Sequence, residues 1–265
     1  MFPVILHIYG PFAIYSYSVA IATGLIVMAY FASKSKIAKK YLTFDQIMSL
    51  LSGSVISAIA GGRVLHVISE WDGYKHNLID TLSIWNGGLS SLGAVIAMVI
   101  YFPIALRKLN LPLLPVADLA GIYVPLFQSI ARFGCFFAGC CYGSETSLFC
   151  GITYSNPECS APLYVKLHPT QIYSSISFFL IFLVIYYISK NYYKSPGQLI
   201  FTYLTLMSVE RFFIDFLRGD RNLGKNIFLQ ILSIDQWVAL LIFIVSFIAL
   251  IYTIWKPKDE HLQLH

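Results

Sequence analysis

Long runs of apolar residues, separated by short polar stretches, dominate the pattern along the 265-residue chain. A helix of about 20 apolar residues is long enough to cross the roughly 30 Å hydrocarbon core of a bilayer. Seven runs reach this length: Phe12–Ala32, Phe44–Ile68, Gly87–Leu106, Pro115–Phe136, Thr170–Ile188, Gly197–Leu217 and Gln236–Trp255. The pattern therefore predicts an all-α, polytopic integral membrane protein with about seven transmembrane helices.

Composition supports this prediction and limits the domain count. Of all residues, 57% are hydrophobic and 12% are charged, whereas a soluble domain carries about 25% charged residues. We expect one transmembrane domain over residues 1–265, with no separate soluble domain. No basic residue precedes the first run, and it has no small-residue cleavage pattern, so we expect it to stay in the membrane and not to act as a signal peptide.

The lysines and arginines of the short loops predict the orientation, because cytoplasmic loops carry an excess of them. One side holds ten: Lys34, Lys36, Lys39, Lys40, Arg107, Lys108, Lys190, Lys194, Lys256 and Lys258. The other side holds five: Lys75, Lys166, Arg218, Arg221 and Lys225. We therefore expect the N-terminus outside and the C-terminus in the cytoplasm. The net charge of +5 fits anchoring at the inner leaflet and does not indicate a nucleic-acid partner.

The segment Arg132–Gly143 reads RFGCFFAGCCYG and ends the fourth run on the outer side. Three of the five cysteines lie in it, and Cys150 and Cys159 follow in the next loop. Disulfides persist outside the cytoplasm, and an odd number of cysteines leaves at least one thiol unpaired. Because the chain has no paired C-x-x-C units and no nucleotide-binding loop, we expect no metal cluster and no cofactor.

Three arginines lie inside predicted spans: Arg63, Arg132 and Arg211. A charge in hydrocarbon is unfavourable by at least a few kcal/mol, so such residues face the protein interior or a wet cavity. One interpretation is structural pairing, since Arg211 and Asp215 are four residues apart on one helix face. The other is phosphate binding, for which the planar guanidinium is well suited. Arg132 has no acid within four positions, so it is the better candidate for an anion site.

Further polar motifs open the third and fifth runs. His168-Pro169-Thr170-Gln171 begins the fifth run, with the proline suited to a helix start; His168 is either an interfacial residue or a chemical group. Gly87 and Gly88 open the third run, and Gly61-Gly62 precede Arg63. Such glycines permit close approach of another helix or of a ligand.

Together these motifs resemble the bacterial prolipoprotein diacylglyceryl transferases. The matching segments are spread over most of the chain: Gly10-Pro11 with Tyr17, Gly61-Gly62-Arg63, Gly87-Gly88-Leu89-Ser90, Arg132–Gly143, His168–Tyr173, Arg211–Arg218 and Gln236. The resemblance implies an enzyme of the bacterial inner membrane. Such an enzyme moves the diacylglyceryl group of phosphatidylglycerol onto the cysteine thiol of lipobox-containing lipoprotein precursors and releases glycerol phosphate.

The resemblance also implies roles for individual residues. The implied catalytic residues are Tyr17, Arg132, His168 and Arg211. The implied substrate-binding residues are Arg63, Arg132, Cys135, Gly143, Gln171 and Asp215. No metal ligand and no cofactor is implied.

The chain departs from the family pattern at several of these positions. Cys135, Ala138 and Cys140 stand where the family usually has asparagines and a glutamate, and Asp215 replaces a usual glutamate. Leu92 stands where the family usually has a histidine that is a candidate base. Neither cysteine nor leucine can reproduce the hydrogen bonds of the residues they replace, so the identity of the base stays open.

Two other classes of function stay open from the sequence. Cys135 and the pair Cys140-Cys141 suggest a membrane thiol–disulfide oxidoreductase, although adjacent cysteines bridge only with strain. A non-enzymatic lipid or solute transporter would show internal repeats, and no convincing repeat relates the two halves. We expect the cysteines to shape the site around Arg132, or to clamp the outer loop through a disulfide to Cys150 or Cys159, and not to turn over by redox.

Overall fold

The computed structural model of the protein describes residues 2–9, 12–75, 78–83, 87–221 and 231–255. Most of these residues are helical, which confirms the prediction of an all-α polytopic membrane protein. A long helix occupies each predicted apolar run: α1 (Ser16–Lys34), α3 (Phe44–Ser69), α5 (Ser91–Lys108), α6 (Leu113–Ala138), α7 (Thr170–Asn191), α8 (Gln198–Phe216) and α9 (Ile234–Trp255). Two short helices, α2 (Lys36–Tyr41) and α4 (Trp71–Tyr74), and a 3₁₀ turn at Leu78–Leu82 lie between them.

Six of the seven long helices are long and apolar enough to cross a membrane. The seventh, α8, is more polar, because it contains Glu210, Arg211 and Asp215. The orientation with the N-terminus outside stays a prediction, since Lys225, Lys256 and Lys258 lie outside the described residues.

The first apolar run begins as a strand and not as a helix. Strand β2 (Phe12–Tyr15) pairs with β1 (Val4–Tyr9), and α1 begins only at Ser16. The Ser16 amide donates to the carbonyl of Pro3 at 2.9 Å, and the Ser16 hydroxyl donates to the carbonyl of Phe2. These hydrogen bonds and the strand pairing satisfy backbone groups that a longer helix would otherwise satisfy. The motif residues Gly10 and Pro11 lie outside the described residues.

The chain forms two compact units, one made of residues 9–12 and 33–116 and the other of residues 1–8, 13–32 and 117–265. The prediction of one transmembrane domain over residues 1–265 stays a prediction. In the first unit, α3 packs against α5 with Gly61 facing Gly93. A Cβ atom at Gly61 would lie 2.6 Å from the Gly93 carbonyl oxygen. These glycines therefore serve helix packing, one of the two roles expected for the motif.

The second unit contains the bundle of α6, α7, α8 and α9. Asp118, on α6, is fully buried and caps the start of α8. Its carboxylate accepts hydrogen bonds from the amides of Gly197, Leu199 and Ile200 at 2.7 to 2.9 Å. The Tyr193 hydroxyl donates to the same carboxylate at 2.9 Å. An anion at a helix N-terminus satisfies free amides and complements the helix dipole, so Asp118 fixes α8 against α6.

The connection between α6 and α7 is a compact lobe of the second unit. Strands β3 (Ile152–Thr153) and β4 (Lys166–Leu167) pair in antiparallel fashion, with Ile152 opposite Leu167. The lobe has a small core of its own, formed by Tyr154, Cys159, Ala161 and Leu167. This ordered lobe holds the connection between the end of α6 and the start of α7 in place.

Candidate active site at one end of the α6 bundle

The segment Arg132–Gly143, called the signature segment below, meets the start of α7 at one end of the second unit. Helix α6 ends at Ala138, and Gly139 follows with φ of 72°. A residue in this left-handed conformation is a common helix stop, and glycine adopts it without strain. Cys141 also has a positive φ, 57°, which is uncommon for a residue with a side chain. The two turns fold Cys140 and Cys141 back towards the end of α6.

Side chains from the first turn of α7 hold this backbone. The Gln171 side-chain amide donates to the Cys140 carbonyl at 2.8 Å and to the Tyr154 hydroxyl at 3.2 Å. The Thr170 hydroxyl donates to the Cys141 carbonyl at 2.7 Å. Gln171 is buried, and its observed contacts hold the backbone at Cys140. Its role in substrate binding stays a prediction.

Gly143 occupies a position with no room for a side chain. Its amide donates to the His168 carbonyl at 3.0 Å, and a Cβ atom there would lie 2.5 Å from the same oxygen. Ser144 and Gly219 extend the pairing, since the Ser144 amide donates to Leu217 and the Gly219 amide to Tyr142. The glycine is thus required by backbone contact, and a direct substrate contact for it stays a prediction.

Three thiols form a cluster at this point. The Sγ atoms of Cys135, Cys140 and Cys141 all lie within 4.8 Å of one another. The sequence predicted no metal cluster, because it lacks paired C-x-x-C units; the turns at Gly139 and Cys141 bring the three thiols together. All five cysteines are free thiols, so the expected disulfide clamp to Cys150 or Cys159 is absent.

The cluster favours one negative charge. Hydrogen bonds from the thiols of Cys135 and Cys140 lower the pKa of Cys141, and the positive charges of Arg132 and Arg218 act in the same direction. Hydrogen bonds to Cys135 and Cys141, together with burial, raise the pKa of Cys140. The two shifts have opposite directions because the thiols are coupled: a thiolate at Cys141 that accepts from Cys140 opposes the loss of a proton from Cys140.

Arg132 lies beside the cluster without a direct partner. Its guanidinium is 5.8 Å from the centre of the Phe178 ring. Cys135, Cys141 and Glu210 are close enough to interact with it electrostatically. Within the part of the chain that the structure describes, Arg132 forms no hydrogen bond or ion pair. An arginine with free donors is the feature expected of an anion site.

Tyr17, on α1, belongs to the same site. The three clustered thiols and Arg132 all interact electrostatically with its phenol. Gly134 lets α1 approach α6, because a Cβ atom at Gly134 would lie 3.0 Å from the Tyr17 Cα. The structure thus brings Tyr17, Arg132 and Cys135 together, and their roles in catalysis and binding stay predictions.

The side chain of His168 contacts Tyr173 of α7. Its Nδ1 lies 3.5 Å from the Tyr173 hydroxyl, and that hydroxyl is 3.3 Å from the Cys150 Sγ. The backbone of His168 joins the signature segment through Gly143, as described above. Its catalytic role stays a prediction.

Arg211 does not pair with Asp215, which was one of the two interpretations of this arginine. It contacts Asp235 of α9, with Nη2 and Oδ2 2.5 Å apart. Asp215 is fully buried and accepts from the Ser233 hydroxyl at 2.5 Å and from Arg221 at 3.4 Å. Both residues therefore join α8 to the segment that leads into α9. The catalytic role of Arg211 and the substrate-binding role of Asp215 stay predictions.

Arg218 is a cation near the cluster that already has a partner. It binds Asp220 in a bidentate manner, at 2.8 and 2.6 Å. Burial acts to lower the pKa of Arg218, but this hydrogen-bonded carboxylate and the nearby Cys141 raise it overall. The guanidinium is therefore charged at any pH at which the protein is folded.

Arg63, in the other unit, has little free donor capacity. Its guanidinium donates to four backbone carbonyls, those of Asp80, Thr81, Gly87 and Gly88, at 2.5 to 3.0 Å. It is buried, 7% exposed. These contacts order the segment before α5, and a direct role in substrate binding stays a prediction. Leu92, in the first turn of α5, is exposed.

An apolar cavity of about 530 Å³ lies between the N-terminal strand, α1 and α6. Its lining includes Val19 and Ala20 of α1 and Phe133 and Phe137 of α6. Ala20 also contacts Gly134, since a Cβ atom at Gly134 would lie 2.9 Å from the Ala20 Cβ. The lining also includes Ser16, so the cavity is lined by the sequence neighbours of Tyr17 and Arg132, namely Ser16 and Phe133.

Sequence reasoning singled out Arg132, Tyr17 and the cysteines, which the structure brings together. It missed the proximity of Glu210, which lies in the interior near Arg132, and the support that Tyr154 gives to Gln171. Glu210 was visible as an acid inside an apolar run, but only the packing of α8 against α7 sets its distance from α6. Burial raises the pKa of the Tyr154 hydroxyl, although its hydrogen bond with Gln171 acts to lower it.

Comparisons with known proteins agree on one family. The sequence matches the family described as prolipoprotein diacylglyceryl transferase over residues 3–252. It is 33% identical to the phosphatidylglycerol–prolipoprotein diacylglyceryl transferase of Finegoldia magna, over 88% of each chain. It is also 33% identical to the enzyme of that name from Clostridium tetani, over 93% of this chain and 95% of the relative. The chain belongs to the prolipoprotein diacylglyceryl transferase family of membrane enzymes.

Proposed function

We propose that this protein transfers the diacylglyceryl group of phosphatidylglycerol to the cysteine thiol of lipoprotein precursors that carry a lipobox, and releases glycerol phosphate. The observation that carries the proposal is Arg132, a guanidinium without a direct partner beside Tyr17 and three thiols. Family membership supports the same reaction, since relatives at 33% identity bear its name. The enzyme would act in the bacterial inner membrane, at its outer face.

Arg132 would bind the phosphate of the lipid. In the reaction, the bond between a glycerol carbon and a phosphate oxygen breaks, and negative charge grows on the leaving phosphate. A fixed guanidinium in a water-poor site stabilises such charge strongly. Arg218 adds positive charge nearby, although Asp220 already binds it. Arg132 is thus the group with donors left for the substrate.

The apolar cavity beside α1 would take the acyl chains. It lies next to Tyr17, so a lipid could place its chains along Val19, Ala20 and Phe133 while its headgroup reaches the polar site. Because the acyl chains already lie in hydrocarbon, the cavity would add no hydrophobic driving force and would hold the chains by packing alone. Packing of the chains would help to position the glycerol carbon for attack.

Neither alternative class gains support. The described contacts and the comparisons with known proteins do not favour a thiol–disulfide oxidoreductase or a non-enzymatic transporter. The transferase is therefore the single function proposed.

A cell-based replacement experiment tests this function. The host is a bacterial strain whose own diacylglyceryl transferase can be switched off, and the readout is lipidation of a reporter lipoprotein, measured by mass spectrometry. We expect the wild-type chain to restore lipidation and Arg132→Lys to fail, because lysine keeps the charge but loses the planar fork. Arg107→Lys, at an exposed position of α5, is the matched control. Lipidation by Arg132→Lys at the wild-type level would show that Arg132 does not bind the phosphate of the lipid.

A further inference from the structure

We propose that Cys135, Cys140 and Cys141 form a metal site for a thiophilic ion of the Zn²⁺ class, and that its open position binds the thiolate of the substrate cysteine. The inference rests on the proposed function, because it supplies the means by which the acceptor thiol becomes a nucleophile. Two of the three residues, Cys135 and Cys140, depart from the family pattern and are not explained by it.

The geometry of the three thiols is close to that of a bound ion. Zinc–sulfur bonds of about 2.3 Å in a tetrahedral arrangement place the sulfurs about 3.8 Å apart. The three Sγ atoms already lie within 4.8 Å of one another, so a contraction of at most about 1 Å completes the site. Small side-chain rotations of three cysteines suffice for such a change.

The backbone around the thiols is fixed in the manner of a supported metal site. Gln171 and Thr170 hold the carbonyls of Cys140 and Cys141, and Cys135 lies in the last turns of α6. Cys141 keeps a positive φ that is uncommon for a residue with a side chain. Support of this kind orients metal ligands and raises affinity. It also explains why an unfavourable conformation persists at Cys141.

Charge balance favours an anionic complex at this place. Three thiolates and one divalent cation carry a net charge of −1. Arg132 is close to Cys135 and Cys141 and forms no ion pair within the described residues. The charged complex therefore has its counter-ion already in position.

The ligand set selects the ion and leaves a coordination position open. Three sulfurs and no oxygen ligand favour soft or borderline ions such as Zn²⁺ over Mg²⁺ or Ca²⁺. Structural zinc sites use four protein ligands, whereas catalytic ones use three and keep the fourth position for water or substrate. Here the fourth ligand would be the acceptor cysteine.

The open position would resolve the missing base. Leu92 stands where the family usually has a histidine and has no basic group. A thiol that coordinates Zn²⁺ is deprotonated outright, and its proton passes to solvent. The bound sulfur then attacks the glycerol carbon of the lipid; the carbon–sulfur bond forms, the carbon–oxygen bond to phosphate breaks, and its electron pair stays on the phosphate. The neutral thioether is a weaker ligand than the thiolate, so the product can leave.

Metal analysis of the purified full-length protein tests the site without using activity. We expect about one zinc ion per chain in the wild type, as for a site with three sulfur ligands and one open position, and a background level in Cys135→Ser. Cys159→Ser, outside the cluster and hydrogen bonded to Phe137, is the matched control and should keep the ion. A wild type free of metal, with three titratable thiols or a disulfide among Cys135, Cys140 and Cys141, would overturn the proposal.

A second measurement tests the open position. Replacement of the ion by Co²⁺ gives an absorption band from sulfur–cobalt charge transfer. We expect a lipobox peptide to change this spectrum and the same peptide with serine in place of cysteine to leave it unchanged. An identical response to both peptides would exclude substrate coordination. Lipidation by metal-free wild type would overturn the metal site and keep the transferase, whereas a cysteine-specific cobalt response without any lipidation would overturn the transferase and keep the site.

Discussion

The side-chain amide of Gln171 donates a hydrogen bond to the backbone carbonyl of Cys140, with Nε2 and the oxygen 2.8 Å apart. This contact links the first turn of α7 to the loop that carries two of the three clustered thiols. Because Gln171 is 1% exposed, no water replaces the hydrogen bond if the side chain is changed.

Gln171→Leu should therefore disturb the loop. We expect it to lower the free energy of unfolding by about 1–3 kcal/mol, the range for a buried polar group left without its partner. Thermal unfolding in detergent measures the loss. Gln46→Leu, at a half-buried capping residue of α3 whose hydrogen bond is exposed, is the control and should change stability by about 1 kcal/mol or less. Equal losses of unfolding free energy in the two variants would show that the Gln171–Cys140 hydrogen bond stabilises the protein no more than an exposed cap does.

The buried cap formed by Asp118 gives a second prediction. Asp118→Ala removes the acceptor for three amides at the start of α8 and for the Tyr193 hydroxyl. We expect a loss of about 3–5 kcal/mol, because four donors lose their acceptor at about 1–3 kcal/mol each, and part of this is offset by no longer burying the carboxyl group. Asp45→Ala, in the exposed first turn of α3, should lose about 1 kcal/mol or less. A Tm for Asp118→Ala close to that of Asp45→Ala would contradict the capping role.

The close approach of α1 to α6 at Gly134 gives a third prediction. Gly134→Val would place new atoms against Tyr17 and Ala20, where even a Cβ atom lies within 3.0 Å of both. Since Tyr17 must move, we expect diacylglyceryl transfer to fall by about tenfold or more, in line with the sensitivity of catalysis to displacements of about 1 Å. Gly73→Ala, where a Cβ atom meets nothing within 4 Å, should transfer at the wild-type rate. Transfer by Gly134→Val at the wild-type rate would show that the reaction does not depend on the position of Tyr17.

The helices could be predicted from the sequence because a membrane span needs a long apolar run, and runs such as Phe44–Ile68 and Thr170–Ile188 have few competing interpretations. The strand Phe12–Tyr15 could not, since its residues are as apolar as the helix that follows. Whether they form a strand depends on pairing with Val4–Tyr9, which periodicity does not report.

The candidate site could be predicted only in part. Arg132 was singled out because a charge in an apolar run requires an explanation, whereas Tyr17 was implied only by the resemblance to the family. The sequence left the partner of Arg211 open between Asp215 and a phosphate, because spacing along one helix cannot show that Asp235 of α9 is its partner. The thiol cluster was missed for a similar reason: its geometry depends on two residues with positive φ, Gly139 and Cys141. A spacing rule for known metal sites contains no such turn.

Reconstitution with purified components tests the central claim most directly. Wild-type protein is incubated with labelled phosphatidylglycerol and a peptide whose lipobox contains one cysteine, and the peptide is analysed by mass spectrometry. We predict a peptide that carries diacylglyceryl on its sulfur, an equal amount of glycerol phosphate, and no product from the peptide with serine in that place. Arg132→Lys should be slower by about ten- to a hundredfold, the equivalent of one lost charge-assisted hydrogen bond. A folded wild type that binds the lipid and yields no lipidated peptide would contradict the account.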